Sequence, residues 1–491
     1  MRDYSFGNFI SALRERCGLS QYQLGALVGV SDKAVSKWEN GASKPRIDTI
    51  RKLSEVLDVS VDELLACEYD AFNKKRKDLF AMKKEIISIA KNKLKELYGD
   101  NPPIRIANRF KTEELMLDGK EALLWMGFFG KLQEEFCMMD SYFEVKCIQM
   151  GASFIAWLLG GTNVNPLPPH YYCPTCKKVE FVLDEKCGID LPEQKCACGR
   201  YYQKDGFEIS EVNMYPIQNY NEIFVSGNKT EHVKKCLQEY FESYGVVREL
   251  KIIYDEEIQV GNEDEIKVTK FVLFSKDVAK KHPEEVIEIQ AEEYYKLMSD
   301  WSVLTIIDDV SERMSSRDLK NLEFTTQQTK AFFNYSVENG MFKPDYKDVD
   351  LDKVLSDIKT PKFHDLLSLY GFLHGTGAWE NNAEVLYDKG IKLGELISCR
   401  EDVYAYLYEK LNGKCCENPS GQVFEIKEAV RKGRYARKGM PEEIESLLLE
   451  CDVPEWYVES MKKILYLFPK TFLIVLLKRE ICKFVMMNER Q

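Results

Sequence analysis

Nowhere in its 491 residues does the sequence hold an apolar run approaching the ~20 residues that a helix needs to cross a bilayer. The opening MRDYSFGNFI lacks both the basic segment and the apolar core of a secretory signal, so the expectation is a cytoplasmic protein with no membrane partner. Positive charge is not in excess either: 68 Lys and Arg stand against 80 Asp and Glu, a net charge of −12. A global attractive field for nucleic acid is thereby excluded, and contact with phosphate has to come from local basic patches. No fixed-period repeat is visible, which argues against a solenoid array. With 45% hydrophobic and 30% charged residues the chain is not compositionally disordered. Its length suits about two to four domains.

What is present is unevenly distributed. From Asn73 to Lys111 there are twelve Lys or Arg against four Asp or Glu, and a second basic stretch, read as a loop, runs from Lys427 to Lys438. Without an export signal, the 15 cysteines point to reduced thiols or metal ligands rather than a disulfide framework. Residues 5–68 alternate short helical periods with GLS, GVS, NGASKP and DVS corners. Residues 70–100 read as one basic helix, with Phe80, Ile86, Ile87, Ala90 and Leu94 at helical spacing. The pattern is mixed over 101–210. Between 211 and about 300, the runs Lys251 to Tyr254 and Val268 to Phe274 flank the acidic turn GNEDE, as in a small α/β region. Beyond 310, LLSLYGF, ELISCREDVYAYLYEKL and WYVESMKKILYLF are amphipathic helical stretches.

The segment LSQYQLGALVGVSDKAVSKWENG predicts a helix after Ser20, a corner at Gly29, and a second helix capped by Ser31 and running to about Glu39. Leu24, Leu27, Val30, Val35, Trp38, Ile50, Leu53 and Leu57 fall on the inward faces. Together with Gly25, the WENG of Trp38 to Gly41 and the closing DVSVDELL, this resembles the Cro/cI-type (XRE) helix-turn-helix family over about 60 residues. The resemblance implies that Asp32, Lys33, Ser36 and Lys37 face base edges of double-stranded DNA. It places Gln21, Asn40, Lys44 and Arg46 against phosphates. It also raises a homodimer on a two-fold site, although no coiled-coil seam fixes one. The near-neutral charge of residues 1–68 leaves a helical docking module as the alternative.

Cys173 and Cys176 in CPTC, with Cys196 and Cys198 in CACG, supply four soft ligands for a structural tetrahedral zinc ion. The second pair is CxC rather than CxxC, so Cys187 is an alternative thiol. Four thiolates leave no open position for water activation, and no nearby His and Glu arrangement suggests hydrolysis. The surrounding blocks are VNPLPPHYYCPTC (Val164 to Cys176), DLPEQKCACG and KDGFEI (Lys204 to Ile209). Further on come LLSLYGFLHGTGAW (Leu366 to Trp379), LISCREDVYAYL (Leu396 to Leu407), VRKG (Val430 to Gly433) and VPEWYVESMKKILYLFPK (Val453 to Lys470). In this order they resemble the PolC-type bacterial replicative DNA polymerase, over roughly residues 100–485, in part of its palm and its fingers.

That family places an Asp-x-Asp pair shortly after the zinc loop, to hold the two cations of nucleotidyl transfer. The corresponding SEVNMYPIQNYNEIFVSG contains only Glu211 and Glu222 as acids, and EVKCIQM stands where a Gly/Ser-rich phosphate loop is expected before GASF (Gly151 to Phe154). Asp308 and Asp309 are a remnant candidate for the third carboxylate, whereas the string Asp348 to Asp352 reads as a solvated helix start. Magnesium therefore enters only with residual polymerase activity. The better-preserved fingers motifs imply nucleotide contact by His374, Gly375, Thr376, Arg400, Arg431 and Lys432. FPKTFL at Phe468 to Leu473 departs from the family's FPKAHA by losing a His.

The expected fold is α+β and multidomain. A small all-α helix-turn-helix domain (1–69) and a basic helical linker (70–100) precede a degenerate palm-like region (101–310) with a zinc knuckle at about 171–206. A mainly helical fingers-like domain (311–491) follows. The expected function is a sequence-specific transcriptional regulator with a catalytically inactive sensor or docking module for a nucleotide, a polymerase inhibitor or a replisome protein. Two rivals stand beside it: a residual polymerase, and a polymerase-mimicking decoy for a replisome component, phage protein or inhibitor.

Overall fold

The computed structural model describes residues 4–16, 19–57, 59, 61–66, 69–117, 122–139, 141, 143–146, 150–214, 221–226, 229–242, 249–259, 265–274, 304–309, 322, 324–343, 349–413 and 419–489. The chain divides into two compact units: residues 1–85 with 237–253 and 273–296, and residues 86–236 with 254–272 and 297–491.

The first unit begins with five short helices: α1 (Tyr4–Arg16), α2 (Gln21–Val28), α3 (Asp32–Glu39), α4 (Ile47–Leu57) and α5 (Val61–Ala66). Local chemistry sets their ends. Ser20 and Gln23 form a reciprocal capping box at the start of α2, Gly29 turns the chain at a φ of 80°, and the Ser31 hydroxyl accepts the Ala34 N–H at the start of α3. Phe9 and Leu13 of α1, Leu24 and Val28 of α2, Val35 and Trp38 of α3, and Leu53 and Leu57 of α4 close one core. Each side chain buried this way is worth about 1.5–3 kcal/mol. Leu27, expected inside, is 58% exposed instead, and Val30 is only half-buried. The inward stripe of α2 is the i,i+4 pair Leu24 and Val28, and Leu27 lies to one side of it.

Helix α6 (Tyr69–Tyr98) continues from this region as the single long helix read from the sequence. Ile86 and Ala90 are buried, while the Phe80 side chain lies outside the described residues. In the second unit α7 (Ile104–Met116) and α8 (Ala122–Met138) lead into β1 (Phe143–Lys146) and the short α9 (Phe154–Leu158). A small antiparallel sheet follows, ordered β3-β2-β4, from β2 (His170–Tyr172), β3 (Val179–Phe181) and β4 (Gln203–Asp205). In chain order next come β5 (Asn221–Ser226), α10 (Thr230–Glu242), β6 (Glu249–Gln259), β7 (Glu265–Phe274) and β8 (Leu304–Asp309), of which residues 237–253 and 273–274 belong to the first unit. β5 is the centre of a mixed sheet, antiparallel to β1 and parallel to β8.

The remainder is helical among the described residues: α11 (Thr326–Glu338), α12 (Asp352–Asp357), α13 (Phe363–His374), α14 (Glu384–Asp388), α15 (Arg400–Leu411), α16 (Pro419–Arg431), α17 (Arg434–Lys438), α18 (Glu442–Glu450), α19 (Glu455–Lys463) and α20 (Lys470–Glu489). Nine of the twelve α13 residues are buried, as befits a helix packed on all sides. The α+β class is as expected. The basic stretch at 427–438 is not a loop: it lies mostly in α16 and α17, because Val423, Ile426 and Val430 carry a helical stripe up to the Gly433 corner, and Lys427 is fully buried. The amphipathic run WYVESMKKILYLF is helical only to Lys463, after which an extended segment pairs Tyr466 with Thr376. No helix among the described residues is long and apolar enough to cross a membrane.

Candidate functional site

Three places carry the expected chemistry: the α3 surface, the thiolate cluster beside β2, and the polar seam around residues 463–470. On α3, Val35, Trp38 and Glu39 face inward, which leaves Asp32, Lys33 and Lys37 exposed and Ser36 half-buried. Lys33 and Lys37 lie one turn apart on the same face. Asp32 accepts the Lys33 N–H at 2.8 Å, and Asn40 donates to the Ser36 hydroxyl at 3.3 Å. Gln21 donates to Glu39 at 2.7 Å, and Arg14 donates to the same carboxylate at 2.6 and 3.2 Å. Gln21 therefore joins the network that fixes α2 to α3. Lys44 sits 5.8 Å from the Phe6 ring, and the exposed Arg46 offers its carbonyl to Thr49 and Ile50 at the start of α4. Of the described cations in the adjoining basic stretch, Lys91 pairs with Glu114, Lys93 with Glu96, Lys95 with Asp100 and Arg109 with Glu113. The side chains of Lys74 to Lys77 lie outside the described residues.

Beside β2, Cys173, Cys176, Cys196 and Cys198 bring their sulfurs within 4.8 Å of one another, with 3.5 Å between Cys173 and Cys198 and 3.3 Å between Cys176 and Cys196. A tetrahedral zinc ion with Zn–S of ~2.3 Å needs sulfurs about 3.8 Å apart, so the donor set and its spacing fit that ion. Cys187 is not in the cluster; it is fully buried near Lys470, and burial pushes its thiol up to about 12. The loop is anchored to α13 by Asp190, whose carboxylate accepts the Phe363 and His364 N–H groups at 2.6 and 3.0 Å.

Along the seam, His374, Gly375, Thr376, Arg400 and Arg431 lie against one segment of the chain, whereas Lys432 pairs with Glu428. His374 packs against Phe468, Thr376 exchanges backbone hydrogen bonds with Tyr466, the Arg400 N–H donates to the Phe468 carbonyl, and Leu467 donates to the Arg431 carbonyl. Two glycines explain this closeness. Gly377 and Gly433 have φ of 67° and 62°, and a Cβ would meet the Lys463 carbonyl at 2.6 Å and the Leu465 carbonyl at 2.4 Å. What approaches these turns is the protein's own backbone. Gly375 is likewise buried, with a Cβ position 2.9 Å from the Gly371 carbonyl.

The cations of the seam are neutralised from within. Arg400 donates to Glu401 at 2.8 Å, and Arg431 grips Glu428 at 3.0 and 2.7 Å. Lys427 and Lys432 each lie 3.2 Å from Glu428. One donor is left over: Arg400 Nη2 is buried without a hydrogen-bond partner. Burial raises the Glu428 pKa, but the Arg431 hydrogen bonds and charge, with Lys427, outweigh it and hold the carboxyl at about 2. A folded-state pKa below the ordinary ~4.3 contributes stability above that value and loses it as pH falls towards 2. Glu428→Gln is therefore expected to cost about 3 kcal/mol at pH 7 and progressively less in acid. Urea unfolding of both proteins between pH 7 and pH 2.5 checks this, and curves separated by a constant interval contradict it.

Among the described residues, the acidic positions of the mixed sheet do not share a row of its backbone register. Across it, Glu222 pairs with Lys146 and Thr305, and Glu144 with Phe224, which pairs with Ile307. Asp308 pairs with Val225, and Asp309 with Ser226. Glu222 and the Asp309 row lie four positions, roughly 13 Å, apart along β5. At GASF, the buried Glu113 accepts the Phe154 and Ile155 N–H groups at 2.8 and 3.0 Å and the Ser153 hydroxyl at 2.8 Å. The amides that start α9 are thus already turned to a carboxylate of the chain. Asp352 opens α12, exposed and paired with Lys343; Asp348 lies outside the described residues.

Residues 10–64 match the helix-turn-helix family HTH_3. Over 456 residues the chain is 26% identical to the DNA polymerase III PolC-type of Clostridium perfringens, covering 79% of this chain and 30% of that one. The corresponding protein of Thermotoga petrophila is 28% identical over 454 residues (78% and 32%), and that of Oceanobacillus iheyensis 26% over 501 residues (88% and 34%). The chain spans about a third of the length of these curated relatives.

Proposed function

We propose that this chain, a helix-turn-helix segment joined to a region similar to the PolC-type DNA polymerase III, is a sequence-specific transcriptional regulator whose PolC-like region senses or docks and does not polymerise. The observation that carries the reading is a contrast. The α3 surface keeps Asp32, Lys33 and Lys37 exposed on a closed core, whereas among the described residues no row of the mixed sheet pairs two acidic positions in its backbone register. Two-cation phosphoryl transfer needs acids gathered around ions about 3.5–4 Å apart, and the backbone register of these strands sets no two acids opposite each other.

In this reading residues 1–69 read the duplex, 70–100 link, 101–310 are palm-like and 311–491 fingers-like. Lys33 and Lys37, with Asp32 and Ser36, meet base edges in the major groove; Asn40, Lys44 and Arg46 meet phosphates. A zinc ion held by Cys173, Cys176, Cys196 and Cys198 is structural, and two chains bind a two-fold operator. The work takes place in the cytoplasm.

A second reading, nucleotide sensing at the seam, is favoured by Arg400 Nη2, a buried donor in want of an acceptor. Against it stand Glu401 and Glu428, which a triphosphate would have to displace from their cations. The testing experiment is selection of duplexes from a random pool by the full chain at moderate salt. Recovery of one shared sequence supports the regulator, and binding indifferent to sequence rejects it.

A further inference from the structure

Away from the seam and the four-cysteine cluster, a third set of donors converges within the second unit. On α10, His232 and Cys236 are one turn apart on the same face, and Glu135 reaches them from α8. The Glu135 Oε2 atom lies 3.2 Å from His232 Nε2 and 3.4 Å from Cys236 Sγ, and the last two are 3.4 Å apart. The other carboxylate oxygen, Oε1, turns to Lys131 at 3.8 Å, and the Phe136 ring packs edge-on to the imidazole. These contacts aim one oxygen, one nitrogen and one sulfur at a common point. All three side chains are half-buried, so the point is open to solvent on one side.

The spacing suits hydrogen bonds among the three groups and is also compatible with a shared metal ion. An ion bound at ~2.1 Å to nitrogen and oxygen and ~2.3 Å to sulfur, at tetrahedral angles, sets N···O at about 3.4 Å and S···N or S···O at about 3.6 Å. The three observed separations fall within about 0.2 Å of those values. Thiolate and imidazole exclude calcium and magnesium, which take oxygen shells, and favour a borderline-soft cation.

We propose that Glu135, His232 and Cys236 hold a zinc ion, with water in the fourth position, that staples α10 to α8. It differs from the four-thiolate cluster in having an open position and fewer sulfurs, so it exchanges faster and yields first to a chelator.

The test uses the full chain. Metal content after gel filtration in trace zinc is expected to be one equivalent lower in His232→Ala than in the unsubstituted chain, and Cys236→Ser is expected to match His232→Ala. Equal zinc content in all three overturns the proposal. A second measurement needs no variant: added zinc is expected to slow iodoacetamide modification of Cys236, mapped by mass spectrometry, by about tenfold or more, because the metal-bound thiolate is no longer a free nucleophile. A Cys236 rate unaffected by zinc overturns the proposal equally.

Discussion

Treatment with a metal chelator, or replacement of Cys173 by Ser, is expected to unfold residues 171–206 while leaving residues 10–64 folded. The apolar core here is small: Tyr171, Cys173, Leu191, Cys196 and Tyr202, with Val182 against them. A core of this size leaves the segment dependent on a cross-link between its two cysteine pairs. Structural zinc supplies on the order of 10 kcal/mol in comparable sites. Its loss also frees Asp190, which holds the first two N–H groups of α13, and Glu185, which is paired with Lys362. Limited proteolysis with and without a chelator should show new cleavage within 171–206, and helix loss by circular dichroism extending into the C-terminal region. Protease resistance unchanged by chelation contradicts the metal assignment.

Replacing Lys33 and Lys37 together by Ala is the second large effect. Both side chains are exposed on the α3 face and neither takes part in the core, so the fold should be retained. Each base-edge contact is worth about 1–3 kcal/mol, so the pair should cost roughly a hundredfold or more in affinity for the selected duplex. Affinity for unrelated duplex should fall far less. If the two lysines touch phosphate instead, affinities fall evenly across sequences and the salt slope shrinks by about two. A variant within about twofold of the parent on every duplex leaves α3 outside the interface.

What could be read from sequence was mostly local. Ser20, Gly29 and Ser31 end and begin helices through their own side chains and φ angles, so α2 and α3 fall where expected. Leu27 did not, because eight residues of α2 leave two choices of inward stripe and only packing against α3 and α4 decides between them. The CPTC pair was legible, but the choice between Cys187 and the CACG thiols depended on a loop closure that spacing does not encode. The buried charges around Glu428 left one trace, an i,i+3 and i,i+4 pattern to Arg431 and Lys432, masked by the apparent loop of basic residues. Glu135 is 97 residues from His232, and the His-x-x-x-Cys spacing on α10 was the only sign of that cluster.

The central claim is that the PolC-like region no longer gathers the acids needed to hold two cations on a primer end. Primer extension by the full chain tests it most directly, using labelled primer–templates of several sequences with all four deoxynucleoside triphosphates and either magnesium or manganese. No incorporation on any template is the result this account predicts. Template-directed extension on any of these templates would contradict it.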